Sequence, residues 1–556
     1  MKLKGHHPAQ RLLCKLTCLL ALSPIAEVAA ESRHEDYSRK AAQGPHLALR
    51  AATFFGGPDG EEFVGGGTLA SGEIVAAGNL TGPKPPPGRV DKVIGSGTHR
   101  GLDPFIFKEK AEQHRKAGEF SRDNPDLGGF FVIYDSSLSE IKRFVRFDWG
   151  VAALSTCLVT PDGGTILVAG RAGPAFRKLP GVRTHPCGSE IWKYGDAEQA
   201  ADVFIAAIHP KDGSIRWAHV IEGAGNPPRR LWLDDSGHIY IPAGGLHLVS
   251  PNGATLRRIH TRADGKVDRW VGIHPSHGKI YFGGDRNTRT NREPYRQPFL
   301  IESDLNGKDT ARYWEPNPKE IGSDGGSLES DSSVRGVAFR PDGTAAVIGW
   351  SDGGNSVFTR QVGDWREKGV TPAPLGYATW GMKGANSLGH VMLVDFPAKR
   401  TLTHAWFAAF LPGNFVDARA RNAPNHTSFE DLELMPGGAL AVWGRAASGL
   451  VQTPNAFRKD PGDGAKYGGT FLTVFDGTLS RLMFSSYLPG LGNPALVAHP
   501  RGLLVFSRSR NDDGEPTPTS PPITADSAQT KFGGVSDGHL MLMDGSEIVP
   551  ISTQSK

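Results

Sequence analysis

LVTPDGGTILVAG (158–170) sets the pattern for the whole chain. An apolar strand runs into a turn at Pro161, Asp162 and Gly163, a second apolar strand follows, and a small residue closes the unit. Glycine supplies the positive φ of a tight hairpin, and proline presets φ just before it. The same unit returns as TLASGEIVAAG (68–78), LWLDDSGHIYIPAG (231–244), GIHPSHGKIYFGG (272–284), VAFRPDGTAAVIG (337–349), ELMPGGALAVWG (433–444) and LVAHPRGLLVFS (496–507).

Each copy is followed by a second strand pair. ADVFIAAIHPKDGSIRWAHVI (201–221) and GHVMLVDFPAKRTLTHAWFAA (389–409) are two of the clearest. Two hairpins make a four-stranded antiparallel sheet. Seven such sheets imply an all-β, seven-bladed β-propeller. Residues 46–556 are expected to form it as one unit. Two candidates can complete the last sheet, HLALRAATFF (46–55) and the tail SEIVPI (546–551), and the sequence leaves that choice open.

The segment TPNAFRKDPGDGAKYGGTFLTVFDGTLSRLMFSSYLPG (453–490) resembles the bacterial β-propeller repeat family known as SBBP. TKFGGVSDGHLMLMD (530–544) resembles the middle of that repeat, and AATFFGGPDGEEFVGGG (51–67) its end. The resemblance implies an exported repeat protein. It implies no activity and no catalytic set, because a fold label carries neither.

Export is also expected from the N-terminus. Lys2, Lys4, Arg11 and Lys15 precede an apolar run, Leu16 to Ile25, and small residues continue to Ala30. That is a signal-peptide pattern with cleavage after about Ala30, too short in its apolar part to span a bilayer. The expected divisions are a signal peptide at 1–30, a linker at 31–45 and the propeller at 46–556, in a secreted or periplasmic protein. Of the 62 Lys and Arg, four lie in residues 1–30, and of the 58 acidic residues one does, Glu27. The remaining 58 basic and 57 acidic residues nearly cancel, so no global charge points to nucleic acid or an anionic membrane. No transmembrane segment follows, and a monomer is expected.

Only Cys157 and Cys187 survive such cleavage. Cys157 begins the strand leading to the Pro161 turn, and Cys187 lies in the insert after Gly170, at the same end of the sheet. A disulfide is expected there, with two free thiols as the alternative.

About 75 residues fall to each repeat, against ~40–45 in a compact four-stranded blade. The surplus sits in inserts near 82–127, 171–200, 285–296, 350–388, 445–467 and 508–536, each after the closing small residue of a first hairpin. Equivalent strand ends share one face of a propeller, so these long loops should crowd one face, where recognition residues gather. The tracts GPKPPPG (82–88) and GEPTPTSPP (514–522) read as surface filler, and KEKAEQHRKA (108–117) as a short solvated helix.

Just past the closing residue stand Arg171, Arg286, Arg445 and Arg508, with Trp350 at the equivalent place. Guanidinium forks converging at one height would suit a carboxylate, or a sulfated or phosphorylated sugar. Ordinary strand-end arginines, each paired with a nearby carboxylate, are the competing reading. Trp217 in DGSIRW (212–217) reads as packing between sheets. NDDGE (511–515) lacks the spacing of a calcium loop, and the 19 His form no HExxH or comparable metal pair. Catalytic residues are unknown, and no cofactor, metal or nucleotide motif stands in a plausible context. Two function classes remain. One is a binding or scaffold propeller for a polysaccharide, an anionic glycan or peptide, or an envelope protein. The other is a hydrolase or lyase acting on a polyanionic polysaccharide.

Overall fold

The computed structural model describes residues 43–57, 61–80, 92–94, 128–147, 151–172, 176–187, 202–264, 268–287, 296–314, 330–352, 356–364, 367, 370–373, 387–407, 427–446, 449–459, 469–488, 490–492, 494–510, 521–533 and 536–545. The expected leader, most of the linker, the 108–117 helix, NDDGE, the tract 82–88, most of 514–522 and the tail 546–551 lie outside them.

Strand β1 (Ala48–Phe55) comes first. Ten strands of one sheet follow: β2 (Glu61–Thr68), β3 (Ile74–Leu80), β4 (Lys92–Ile94), β5 (Gly128–Tyr134), β6 (Ile141–Phe147), β7 (Val151–Val159), β8 (Ile166–Ala172), β9 (Val182–Pro186), β10 (Val203–Ile208) and β11 (Ile215–Glu222). Next is a four-stranded sheet of β12 (Trp232–Leu233), β13 (Ile239–Pro242), β14 (Leu246–Val249) and β15 (Leu256–His260). Another holds β16 (Arg269–Ile273), β17 (Ile280–Asn287), β18 (Arg296–Ser303) and β19 (Asp309–Tyr313). A third holds β20 (Ser332–Phe339), β21 (Ala345–Ser351), β22 (Leu388–Asp395) and β23 (Arg400–Phe407). A fourth holds β24 (Thr427–Leu434), β25 (Leu440–Ala446), β26 (Gly469–Phe475) and β27 (Leu482–Tyr487). The last joins β28 (Ala495–His499), β29 (Gly502–Arg510) and β30 (Ser536–Asp544) to β1.

The fold is therefore all-β, a propeller-like arrangement of four-stranded antiparallel sheets. Among the described residues seven separate sheets do not occur: five are separate, and the first two repeats share the ten-stranded sheet. Within it, the orders β6-β5-β3-β2 and β7-β8-β10-β11 meet where β2 pairs in parallel with β7, Gly65 opposite Cys157 and Gly66 opposite Leu158. The run Gly65–Gly67 has no side chain to hold the strands apart. A Cβ on Gly65 would come within 2.5 Å of the Cys157 carbonyl oxygen, and Gly65 itself has φ +152°. The merger follows from that local closeness.

The strand β1 takes the outer place beside β30, with Ala52 opposite Met541 and Phe54 opposite His539. An edge that would otherwise expose unpaired amides is thereby covered by the other end of the chain. Turn chemistry repeats as expected. Asp135, Asp304 and Asp476 accept backbone N–H bonds within their own hairpins, from Glu140 (2.8 Å), Asn306 (2.8 Å) and Ser480 (2.7 Å). At Gly253, φ +68°, an added Cβ would collide with the Trp217 ring, so this turn seats a tryptophan of the preceding sheet.

The third strand of each hairpin pair is buried along most of its length, as in VFIAAI of β10, because each sheet packs between two others. The apolar core falls into seven clusters among the described residues. Each lies between successive strand groups, and one joins Phe55, Leu504 and Phe506 to Phe63 and Phe130, linking the last sheet to the first. Phe55 and Phe130 stack there at 4.9 Å.

The expected disulfide is absent: Cys157 and Cys187 are both free and buried. Cys157 lies on β7, whereas Cys187 follows β9, which pairs in parallel outside β11. Four inter-strand steps at ~4.8 Å separate the two positions across the sheet, far beyond the ~7 Å that a bridge spans. Sharing one end of a sheet does not bring its inner and outer strands together. Burial pushes the Cys157 thiol up, which keeps it protonated and inert.

Candidate functional site

Where the first strands of all the sheets converge there is a cavity of about 890 Å³. Every strand group contributes to its wall. The lining follows one register: the residue six places before each turn's proline, or before its counterpart. That rule yields Val64, Ser155, Arg229, Arg269, Arg335, Glu430 and Pro494, one per repeat, and all seven line the cavity. A constant spacing from the turn thus brings the equivalent position of each repeat to the same cavity.

The ring is not uniform. Arg229, Arg269 and Arg335 occupy it on three successive strand groups. Four more arginines reach the same cavity: Arg230, Arg296, Arg445 and Arg508. Facing them are Glu62, Asp264, Glu430 and Asp431, and four indoles, Trp232, Trp270, Trp350 and Trp443, complete the aromatic wall.

Several of these groups are held by the protein. The segment 223–231 makes contacts with two other strand groups. Pro228 accepts a 2.8 Å hydrogen bond from the Ser155 hydroxyl of β7. Arg230 donates to Asp431 Oδ1 at 3.1 Å, to the Leu432 carbonyl at 2.6 Å and to the Glu433 carboxylate, all on β24. Burial opposes the Arg230 charge, but Glu433 and Asp431 outweigh it and hold this guanidinium protonated. Glu62 accepts from Asn79 Nδ2 at 2.8 Å and from Arg508 Nη1 at 3.4 Å.

Others keep donor capacity. Arg269 gives one N–H to the Glu430 carbonyl at 3.0 Å, yet its Nε is buried with no hydrogen-bond partner among the described residues. The Nε of Arg335 is in the same position. Burial first, then the like charge of Arg335, lowers Arg269 to about 10. Asp264 accepts from the Trp270 backbone N–H at 2.8 Å. Burial pushes its carboxyl up to about 6, although that hydrogen bond and the charges of Arg269 and Arg229 pull the other way.

Of the residues singled out from sequence, Arg445, Arg508 and Trp350 line this cavity and Arg171 and Arg286 are not among its lining. Arg286 stands two places after Gly284, whereas Arg445 stands one place after Gly444. The extra residue turns it to the opposite strand face, where its guanidinium lies 4.0 Å from the Phe299 ring centre. Arg171 sits half-buried between Ala153 of β7 and Val203 of β10. The arginines of the first strands escaped notice. Their constant distance from the turn was the signal that could have found them.

No helix among the described residues is long and apolar enough to cross a membrane. No group of three or more His, Cys, Asp and Glu side chains among them could hold a metal ion. No family model matches the chain, so the SBBP likeness rests on the quoted residues alone. No curated protein matches it either. Among solved structures, the uncharacterized protein lmo1340 from Listeria monocytogenes EGD-e is similar at 9% identity and TM-score 0.35, over 82% of this chain and 91% of that one. Sqt1 from Chaetomium thermophilum is similar at 10% identity and TM-score 0.35, over 90% and 99%. Neither likeness carries an argument about function.

Proposed function

We propose that this chain is an exported, seven-bladed propeller that binds an acidic glycan in its axial cavity. The single observation carrying the ligand class is the wall itself, with seven arginines against four acidic side chains and four tryptophans among them. Guanidinium forks match carboxylate and sulfate oxygens, and indole faces match the C–H faces of sugar rings. An acidic peptide would use the arginines but has less need of the indoles. The seven-blade count is supported by seven axial positions at one register and seven inter-sheet clusters, with the ten-stranded sheet taken as two blades. Export is supported by the leader pattern of residues 1–30.

A hydrolase or lyase reading draws support from Asp264, a carboxyl raised to about 6 beside arginines, as an acid–base group would be. One experiment separates the readings. The purified protein is incubated with a panel of acidic and neutral polysaccharides, and both retention and released fragments are scored. Salt-sensitive retention of acidic members without fragments supports binding, and fragments support catalysis. Equal retention of neutral and acidic members, or none of either, ends the proposal.

A further inference from the structure

We propose that Arg229, Arg269 and Arg335 form one oxyanion subsite within the axial cavity, taking the carboxylate or sulfate group of a single sugar unit. The proposal rests on the glycan reading above and deepens it. Three observations converge. The three residues stand at the same spacing before their turns on successive strand groups, and all three line the cavity. The backbones of β16 and β20 lie very close, because a Cβ on Gly272 would meet the Val337 carbonyl oxygen. Arg269 and Arg335 therefore leave adjoining strands side by side, and the charges of Arg335 and Arg229 both act on Arg269. Like charges gathered this way oppose folding unless an anion comes between them.

The donors also lack a full set of acceptors. Arg269 and Arg335 each bury an Nε–H that meets none among the described residues. Nearby carboxylates do not fill the place. Asp431 takes Arg230 at 3.1 Å, and Glu430 offers Arg269 its backbone carbonyl while its carboxylate accepts from Ser428 at 3.3 Å. A planar carboxylate or a tetrahedral sulfate bridging the guanidiniums would take up the free N–H groups in forked pairs.

Asp264 makes the subsite sensitive to pH. Around it stand Arg269 and Asp268 from its own segment and Arg229 from the segment before β12. Once ionised, above about 6, its carboxylate repels an incoming anion. Below that it is neutral and the repulsion is gone.

The test uses the mature chain and two kinds of probe. Sodium sulfate, compared with chloride at equal ionic strength, is followed by thermal melting. A carrageenan oligosaccharide (sulfate only) and an oligogalacturonate (carboxylate only) are followed by calorimetric titration. Wild type is compared with Arg229→Gln, Arg269→Gln, Arg335→Gln and Asp264→Asn, and circular dichroism checks that each folds. Each arginine variant should lose affinity on the order of 10-fold or more for the better probe, with partial recovery in Arg269→Lys. Sulfate should stabilise wild type more than Arg269→Gln. Carrageenan affinity should fall as pH rises through about 6 in wild type and stay level in Asp264→Asn. The preferred oligosaccharide identifies the anion. A sulfate effect dependent on Arg269 without glycan binding would keep the subsite and discard the glycan reading. Glycan binding unchanged in all three arginine variants would overturn the subsite and leave the broader reading standing.

Discussion

At Asp264 the fold holds a carboxyl in a place that disfavours its charge. Burial raises it from 3.8 to about 6, so between those values the folded chain keeps a proton that the unfolded chain has released. Stability therefore falls as pH rises through that window, and the full cost is present above about 6. Asp264→Asn keeps an oxygen for the Trp270 N–H and removes the charge. It should raise stability by about 1–2 kcal/mol near pH 8, with the gain gone below about pH 4. Denaturant melts at both pH values check this, and a variant less stable than wild type near pH 8 would contradict it. Four buried histidines act with the opposite sign. Burial lowers His219, His247, His404 and His539 from 6.5 to about 4. Below 6.5 the unfolded state takes protons that these rings refuse, so stability is complete above 6.5 and is lost as pH falls toward 4. Each can withdraw up to about 3 kcal/mol. Together they exceed much of a typical domain's stability of about 5–15 kcal/mol, so acid unfolding should have its midpoint between about pH 4 and 6. A chain still folded near pH 4 would show that these rings protonate without unfolding it.

Between elements, two contacts carry the most weight. Arg230 crosses the axis from the segment before β12 to Asp431 and Glu433 on β24. Arg230→Ala would leave the Glu433 carboxylate enclosed, with the Ala498 N–H at 3.3 Å as a neutral donor, and should cost about 1–3 kcal/mol after allowance for partial exposure. Glu433→Gln in the same chain should recover part of the loss, and a double-mutant cycle showing no coupling would remove the brace from the account. Where β2 meets β7, Gly65→Ala would push a methyl toward the Cys157 carbonyl at φ +152°, at a cost of about 2 kcal/mol or more in thermal melts. The hairpins were legible in the sequence because Pro, Asp and Gly mark each turn and the strands between are apolar. The merged sheet was not, since parallel contact between distant strands leaves no local pattern, only three glycines. The cysteine pairing failed for a related reason. Spacing places Cys157 and Cys187 at one end of a sheet, but only pairing order reveals that β9 lies outside β11. In the site, Arg445 and Arg508 were legible from the closing glycine or serine. The axial arginines were hidden among strand residues until the register of each first strand was known.

For the molecule as a whole, free thiols, ring closure and the axial cavity follow from one arrangement. Unfolding the protein without reductant should leave both Cys157 and Cys187 open to alkylation, and mass spectrometry finding them linked would contradict their separation across the sheet. Closure of β1 onto β30 ties residues near both termini of the described chain into one sheet, so the last sheet has its four strands only with the N-terminal one. That closure leaves an axial cavity to which every strand group brings a residue, and the arginines gather on it unevenly. The proposed occupant of that space is an acidic sugar. The most direct test of this is a crystal structure of the protein with the acidic oligosaccharide that binds best. The predicted result is sugar density in the axial cavity, an acidic group against Arg229, Arg269 and Arg335, and a ring face on one of the tryptophans. Sugar bound on the outer rim, with the axial cavity holding only solvent, would contradict it.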